Sequence, residues 1–254
     1  MPTAPSDFRL YHGNDLDMLA AVLANELKKP ATGAALLAPD TILIPQPAMR
    51  RWLQKTLAEA HGIAANLQFL TPGEFVRMAL DANLPGANDA AVGDAATLRW
   101  RLWSQLADAR VTREPVFAPL RALLDGPIAS TQRTLAAWTL AGELAAAFEK
   151  YQAWRRDWLR RWDQGADRED WQAELWRRAT RGLTHRGARL DTYLSRFGES
   201  GGAAPAGLPA RVFAFGCQNV SPDVLRVIAS SARAGTLQFF FLSPVRAWWG
   251  DLRT

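Results

Sequence analysis

Two hydrophobic patterns alternate along the chain, and each predicts a different kind of structure. A continuous apolar run at 42–44 is typical of a buried parallel strand, and the largely apolar stretches at 211–216 and 237–241 are predicted to be strands as well. Between Asp94 and about Phe197 the apolar residues recur instead at helical spacing, and no convincing strand is predicted there. The pattern therefore predicts an α/β protein in which an all-helical segment interrupts a parallel sheet.

The clearest strand–helix unit lies at residues 42–57. Its strand must end before Pro45 and Pro47, because proline cannot occupy a central position in a sheet ladder. The apolar residues of its helix are Met49, Trp52, Leu53 and Leu57. Arg50 and Arg51 would add positive charge at the helix start, in a loop region where open α/β sheets bind ligands. They favour an anionic ligand, although solvated first-turn arginines would give the same sequence.

The strand predicted at 8–11 leads into the place where a nucleotide-binding fold would have its phosphate loop. Such a loop needs closely spaced glycines, followed by Lys and by Ser or Thr. Residues 12–17, His-Gly-Asn-Asp-Leu-Asp, contain one glycine, no lysine and two carboxylates that would repel a triphosphate. The sequence therefore predicts no nucleotide cofactor and no ATP hydrolysis, and Asp15 is predicted to cap the following helix.

The sequence also predicts where two further helices begin. A strand predicted at 62–69 precedes Thr71, which can cap a helix that begins at Pro72. Ser221, followed by proline, is predicted to cap a helix that ends at Gly235.

Changes in the spacing of apolar residues divide the chain into three parts. Residues 1–90 and 201–254 are predicted to be two parts of one α/β domain, and residues 91–200 a helical subdomain inserted between them. The Pro/Gly-rich stretches at 84–94 and 198–209 are predicted connections. Because no closing element follows the last strand, the chain is predicted to be an N-terminal fragment of something longer.

The helical segment carries the densest basic charge. Residues 150–189 contain eleven Lys/Arg and six Asp/Glu, whereas the whole chain has a net charge of +5. Trp154, Trp158 and Trp162 alternate with arginines on a helix predicted to run on from Leu140. Cations beside stacking aromatics are the components of a groove for single-stranded nucleic acid. The same spacing is expected of a helix core with arginine stems packed around it, so both interpretations stay open.

Other chemistries have little support. His12, His61 and His185 are scattered, and neither a zinc-protease motif nor a nucleophile elbow is present. Cys217 has no base near it in the sequence and is predicted to be inert. The acidic group at 163–170 lacks a matching ligand set and is predicted to be a solvated loop, so no metal is expected.

The expected location is the cytoplasm. A single cysteine cannot form an internal disulfide and suits a reducing compartment. The first seven residues do not form a signal peptide, and no apolar run is long enough to span a membrane.

An ordered set of short motifs is similar to the RecC, or gamma-subunit, family of bacterial exodeoxyribonuclease V (the RecBCD complex). The motifs are residues 11–14 with 16–17, 42–53, 62–66, 155 with 157–159, 208–209 with 211–213, and 249–251. Together they cover nearly the whole chain. Within 42–53 the sequence departs from the family pattern, since Pro45 replaces a common Gln, Gln46 a Ser and Ala48 a Gly. Loss of the amide at position 45 removes a donor to base edges.

The resemblance implies a RecA-like, superfamily 1 helicase-like fold without working ATPase motifs. It implies a non-catalytic subunit of a heterotrimer with RecB-like and RecD-like helicase/nuclease subunits. It also implies binding of the 3′-ended single-stranded DNA, recognition of the Chi sequence and a role in recombinational repair. A module that only assembles the complex, without touching DNA, is the alternative. The DNA-binding residues predicted are Gln46, Arg50, Arg51, Thr71, Arg77, Glu149, Arg155 and Arg186.

Overall fold

The computed structural model describes residues 7–29, 37–84, 92–124, 130–198 and 203–244. The strands are β1 Asp7–Gly13, β2 Asp40–Leu43, β3 Leu67–Leu70, β4 Val92–Gly93, β5 Thr184–His185, β6 Arg211–Phe215 and β7 Thr236–Leu242. The first six helices are α1 Leu16–Leu27, α2 Pro47–His61, α3 Pro72–Asn83, α4 Ala95–Ala107, α5 Ala109–Thr112 and α6 Ala118–Leu124. The others are α7 Ser130–Trp154, α8 Arg156–Asp163, α9 Trp171–Thr180, α10 Arg186–Phe197 and α11 Pro222–Ser230.

Two compact units make up the chain. Unit 1 comprises Met1–Pro85 and Tyr193–Thr254, and unit 2 comprises Gly86–Thr192. In the part of the chain that is described, no helix combines the length and apolar character required to cross a membrane.

Unit 1 is built on a five-stranded sheet of order β1-β7-β6-β2-β3, in which every pairing is parallel. This confirms the prediction of an α/β protein with a parallel sheet. The step from β2 to β3 runs toward one edge of the sheet, and the step from β6 to β7 runs toward the opposite edge. Because such crossovers are right-handed, α2 and α11 lie on opposite faces. In agreement, α1 packs beside α2 and α3 packs beside α11.

The core of unit 1 follows from the alternation of side chains along each strand. On the face covered by α1 and α2, Ile42, Phe213 and Phe240 are fully buried and belong to one hydrophobic cluster with Leu23 and Leu53. The predicted strand at 62–69 is shorter than expected and begins only at Leu67.

Unit 2 is a helical bundle in which α4 packs against α7 and α9, and α8 joins α7 to α9. Its core centres on Phe148 and Trp176, whose rings lie 5.2 Å apart. Two corrections apply here. β4 and β5 form a short parallel pair where no strand was predicted. The helix expected to run through Trp162 breaks at Arg155, which has φ −135° and ψ 42°.

The remaining expectations concern helix ends and connections. α1, α3 and α11 are capped by Asp15, Thr71 and Ser221 as predicted, with each side-chain oxygen accepting a backbone N–H. The α11 helix ends at Ser230 rather than near Gly235, because a 3-10 turn, Ser231–Arg233, follows it. Residues 85–91 and 199–202 of the two predicted connections, and the family motif at 249–251, lie outside the described residues.

Candidate nucleic-acid interface

The carboxyl edge of the sheet is where unit 1 brings polar loops together. Between β2 and β6 the crossovers diverge to opposite faces, and in α/β folds such a point is where ligands usually bind. The loop after β2 leads through Gln46 into α2, and the loop after β6 contains Gly216, Gln218 and Asn219. Gly216 has φ +66°, and a Cβ there would lie 3.7 Å from Cε of Met49, so the two loops approach closely.

Gln46 and two arginines face solvent at the start of α2. Gln46 is the N-cap residue but makes no capping hydrogen bond, so its amide is exposed. The guanidinium of Arg50 lies 5.6 Å from the ring centre of Phe69, which orients it toward β3. Arg51 is exposed and forms no hydrogen bond or ion pair with the described residues. The exposed amide and the unpaired cation are therefore available to a ligand.

Thr71 caps the start of α3. Its hydroxyl accepts the backbone N–H of Glu74 at 3.3 Å, and its backbone N–H donates to a Glu74 carboxylate oxygen at 2.7 Å. These two bonds form a capping box at the start of α3. They lower the pKa of Glu74, with the Thr71 backbone N–H as the largest cause and the charge of Arg77 as a smaller one. Arg77 itself is exposed on α3.

The β1–α1 loop has its helix-start donors already satisfied. One Asp15 carboxylate oxygen accepts the backbone N–H groups of Asp17 at 2.9 Å and Met18 at 3.1 Å. In a phosphate loop these donors would face the anion. A carboxylate in that position both satisfies the donors and repels a phosphate.

In unit 2, the helix break at Arg155 separates the tryptophans that the sequence pattern had grouped. Trp162 is buried in the core, whereas Trp154 and Trp158 are 50% and 38% exposed. The guanidinium of Arg155 lies 5.5 Å from the ring centre of Trp158 and donates a 3.2 Å hydrogen bond to the carbonyl of Trp154. The core interpretation thus holds for Trp162, and a cation with two exposed indoles remains at the break.

Gln152 connects Glu149 to the residue that follows Arg186. Glu149 accepts a 3.4 Å hydrogen bond from the side-chain amide of Gln152, and the carbonyl oxygen of that amide accepts the backbone N–H of Gly187 at 3.3 Å. Gly187 follows Arg186, which is half-buried at the start of α10. Buried Gln152 therefore links the end of α7 to the beginning of α10.

Three of the four acidic side chains at 163–170 have structural partners. Asp163 accepts hydrogen bonds from the indole N–H of Trp176 at 3.0 Å and from Nε2 of His185 at 2.9 Å. Asp167 pairs with Arg161 at 2.6 Å, and Asp170 caps α9. No group of three potential metal ligands occurs within the described ranges.

Cys217 lies at the carboxyl end of β6 but is almost fully buried. Burial raises the pKa of its thiol to about 12, so the thiolate is scarce at neutral pH. The thiol behaves as the inert side chain that the sequence predicted.

The predicted DNA-binding residues fall into two sets. Gln46, Arg50, Arg51, Thr71 and Arg77 belong to unit 1, around the loops and helices that follow β2 and β3. The other three belong to unit 2: Glu149, Arg155 and Arg186.

Sequence analysis missed Gln218 and Asn219, which are exposed in the loop after β6. The side-chain amide of Gln218 donates to the carbonyl of Leu242, which ties this loop to the end of β7. Their position directly after a buried strand was the available signal, because carboxyl ends of parallel strands share one edge.

Comparison with known proteins identifies one family. The family model for "RecC, N-terminal domain" matches residues 8–254. The "RecBCD enzyme subunit RecC" of Escherichia coli (strain K12) is 30% identical over 259 residues, which is 96% of this chain and 22% of that protein. The Haemophilus influenzae protein of the same name is 28% identical over 276 residues, covering 96% of this chain and 24% of the relative. That of Mycolicibacterium smegmatis is 25% identical over 245 residues. The chain therefore spans less than a quarter of the length of these relatives.

Proposed function

The chain belongs to the RecC N-terminal domain family, and on that premise we propose that it is a non-catalytic, DNA-handling module of a RecBCD-type exodeoxyribonuclease. Its partners are RecB-like and RecD-like helicase/nuclease subunits and the 3′-ended single strand. It acts in double-strand break repair by homologous recombination, contributes to Chi recognition and works in the cytoplasm. Residues 1–90 and 201–254 form a helicase-like α/β domain, and 91–200 its inserted helical subdomain.

The observation that carries the proposal is the contrast between two loops on one sheet edge. After β1, the Asp15 carboxylate accepts hydrogen bonds from backbone N–H groups at the start of α1. A nucleotide phosphate would need the same N–H groups. After β2, the side chains of Gln46 and Arg51 are exposed and pair with none of the residues that the structure describes. The first arrangement supports a module without ATPase activity. The second supports contact with a polyanion.

Unit 2 supplies the aromatic component that single-strand binding uses. Arg155 beside exposed Trp154 and Trp158 combines a phosphate-binding cation with rings on which bases can stack. Stacking tolerates any base, whereas hydrogen bonds from groups such as the amide of Gln46 carry sequence information. We therefore assign retention of the strand to the Arg155 region and base discrimination to the loops of the sheet edge.

The proposal is tested by crosslinking a photoreactive single-stranded oligonucleotide to the complete enzyme complex and mapping the adducts by mass spectrometry. Adducts are expected at the loop of Gln46 and Arg51 and at 154–158. Arg155→Ala should reduce the second set, whereas Arg110→Ala should reduce neither, because Arg110 is exposed but ion-paired with Asp108. Adducts confined to other parts of the complex would refute DNA handling by this chain.

An assembly module is the second candidate, and one observation favours it. Unit 2 exposes three large apolar side chains, Trp100, Leu123 and Leu135, each more than half accessible. Exposed apolar residues of this size are common at protein interfaces. Leu123→Asp with Leu135→Asp should weaken co-purification of the partner subunits. Unchanged co-purification would refute the assembly function of this surface. If the DNA adducts described above were also found, DNA handling would be the one function supported.

A further inference from the structure

The first turn of α10 has two of its backbone donors satisfied by buried side chains. N–H groups at the start of a helix find no carbonyl partner within the helix. The N–H of Gly187 donates to the side-chain oxygen of Gln152 at 3.3 Å. The N–H of Ala188 donates to Nδ1 of His185 at 3.2 Å. Both side chains are almost fully buried, Gln152 at 1% and His185 at 6% exposure. Helix-start donors often bind an anion, but these two are not available to a phosphate.

The imidazole of His185 is held through both of its nitrogens. Nδ1 accepts a hydrogen bond only when it is unprotonated, so the proton of the neutral ring lies on Nε2. Nε2 donates to a carboxylate oxygen of Asp163 at 2.9 Å, and the ring centre of Trp176 lies 4.9 Å from that of the imidazole. A Cβ at Gly187 would lie 3.2 Å from Nδ1, so glycine at this position lets the imidazole lie against the helix start. The acceptor that caps α10 therefore has a fixed orientation.

The amide of Gln152 joins two of the predicted DNA-binding residues. Its nitrogen donates to a carboxylate oxygen of Glu149 at 3.4 Å, and its oxygen holds the backbone one residue after Arg186. Burying an amide is costly unless it is hydrogen-bonded, and an apolar side chain would fill the same space without that cost. The amide at position 152 therefore contributes something that packing alone does not require, which is a polar link from α7 to the first turn of α10.

The side chain of Arg186 has no such support of its own. Arg186 is the first residue of α10 and is half-buried. It forms no hydrogen bond or ion pair with the described residues. The direction of its guanidinium is therefore set by the backbone that carries it, and that backbone is the turn held by Gln152 and His185.

We propose that Gln152 and His185 are positioning residues for Arg186: they hold the first turn of α10 so that the Arg186 guanidinium meets a phosphate of the single strand. This rests on the proposed function, which supplies the DNA-binding role of Arg186. Neither positioning residue contacts DNA, because both are buried. Their effect is pre-organisation, since a guanidinium on a fixed turn has fewer directions to lose when the strand binds.

The test measures the Kd of a labelled single-stranded oligonucleotide for the complete complex, together with the melting temperature of each variant. The amide oxygen of asparagine can take the place of Nδ1, whereas the longer glutamine reaches the place of Nε2. His185→Gln should therefore lose the cap and raise the Kd about threefold, the scale of one exposed ion pair. His185→Asn keeps an acceptor for the N–H of Ala188 and should restore most of the affinity, although it loses the bond to Asp163. Gln152→Met, which removes both amide hydrogen bonds at similar size, should resemble His185→Gln.

A double-mutant cycle separates positioning from general stability. If the two residues act through Arg186, neither His185→Gln nor Gln152→Met should raise the Kd further once Arg186→Ala is present. Trp176→Phe is the matched control, because it removes a hydrogen bond to Asp163 but leaves both caps of α10 in place. It should lower the melting temperature and leave the Kd unchanged.

Three results would overturn the proposal. An unchanged Kd for His185→Gln and Gln152→Met, or the same threefold rise with and without Arg186→Ala, would leave these residues a structural role only. A rise in Kd for Trp176→Phe that matches its loss of stability would mean that affinity follows stability. An unchanged Kd for Arg186→Ala itself would refute the DNA-binding role of Arg186, and the positioning role with it. This last result is distinct from failure of the proposed function, which the adducts at the loop of Gln46 and Arg51 test separately.

Discussion

Replacing Arg155 by alanine separates a DNA-binding role from a structural one. Arg155 is exposed, and its ordered contacts are the Trp158 ring and one carbonyl of the preceding residue. Losing them costs the fold little, because an exposed cation–π contact contributes about 0.5–1 kcal/mol. If the guanidinium binds a phosphate of the single strand, its removal instead weakens DNA binding in a salt-dependent way.

The size of the effect follows from counterion release. Each phosphate neutralised on a single strand contributes about 0.7 to the slope of log K against log salt. Arg155→Ala should therefore lower that slope by about 0.7. Over a fourfold rise in salt, the variant loses about 2.6-fold less affinity than the wild type, and at low salt its Kd is a few-fold higher. A larger loss is not expected, since an exposed ion pair contributes at most about 1 kcal/mol.

The assay is fluorescence-anisotropy titration of a labelled single-stranded oligonucleotide with the complete complex, at four salt concentrations. Arg168→Ala is the matched control. Arg168 is also exposed in unit 2, and its one side-chain hydrogen bond, to the carbonyl of Gly165, has the same 3.2 Å length as that of Arg155. An unchanged slope for Arg155→Ala, or an equal change for both variants, would refute a specific phosphate contact.

Three further predictions concern groups with assigned partners. Asp15→Ala should lower the free energy of unfolding by about 1 kcal/mol in urea titration, while Asp15→Ser retains most of it; equal losses would contradict the capping role. Glu74→Gln should cost less than about 1 kcal/mol at pH 7. Because the folded pKa of Glu74 is lowered, its stabilisation is complete above the unfolded pKa and is lost as pH falls through the folded value, so the difference should vanish in acid. Asp163→Ala removes the acceptor of both Trp176 and His185 and should cost about 2–3 kcal/mol by thermal unfolding. Mg²⁺ should not raise the melting temperature of the wild type, and a rise would favour a metal site.

The parts of the fold that could be predicted are those that depend on local chemistry. The caps at Thr71 and Ser221 could be read because a short side-chain oxygen before proline satisfies helix-start donors wherever the helix packs. The buried strand at 211–215 was readable because both faces of a parallel sheet are covered and select continuous apolar residues. The capping box was not predicted, although Glu74 stands three residues after Thr71, which is the spacing that such a box requires.

The helix break at Arg155 could not be predicted, because spacing by four residues suits a continuous helix equally well. Nothing local in the sequence stops a helix there: no proline or glycine occurs between Trp154 and Trp162. The break is set by tertiary packing, which buries Leu159 and Trp162 on α8 against α7 and α9. The same packing decides that Trp154 and Trp158 stay partly exposed, and hence what the candidate site offers to a ligand.

On the proposed function, the strand order explains how such a module could lack a phosphate site and keep a polynucleotide-binding edge. β1 and β2 are separated by β7 and β6, so their carboxyl ends lie about 14 Å apart at ordinary strand spacing. The backbone N–H groups that donate hydrogen bonds to Asp15 belong to α1, whereas Gln46 and Arg51 are positioned by β2 and α2. A carboxylate can therefore close the phosphate position without moving any atom of the β2 loop. On the proposed function, selection acting on a polynucleotide-binding edge would be indifferent to that closure, because the two sites share a sheet but no side chain.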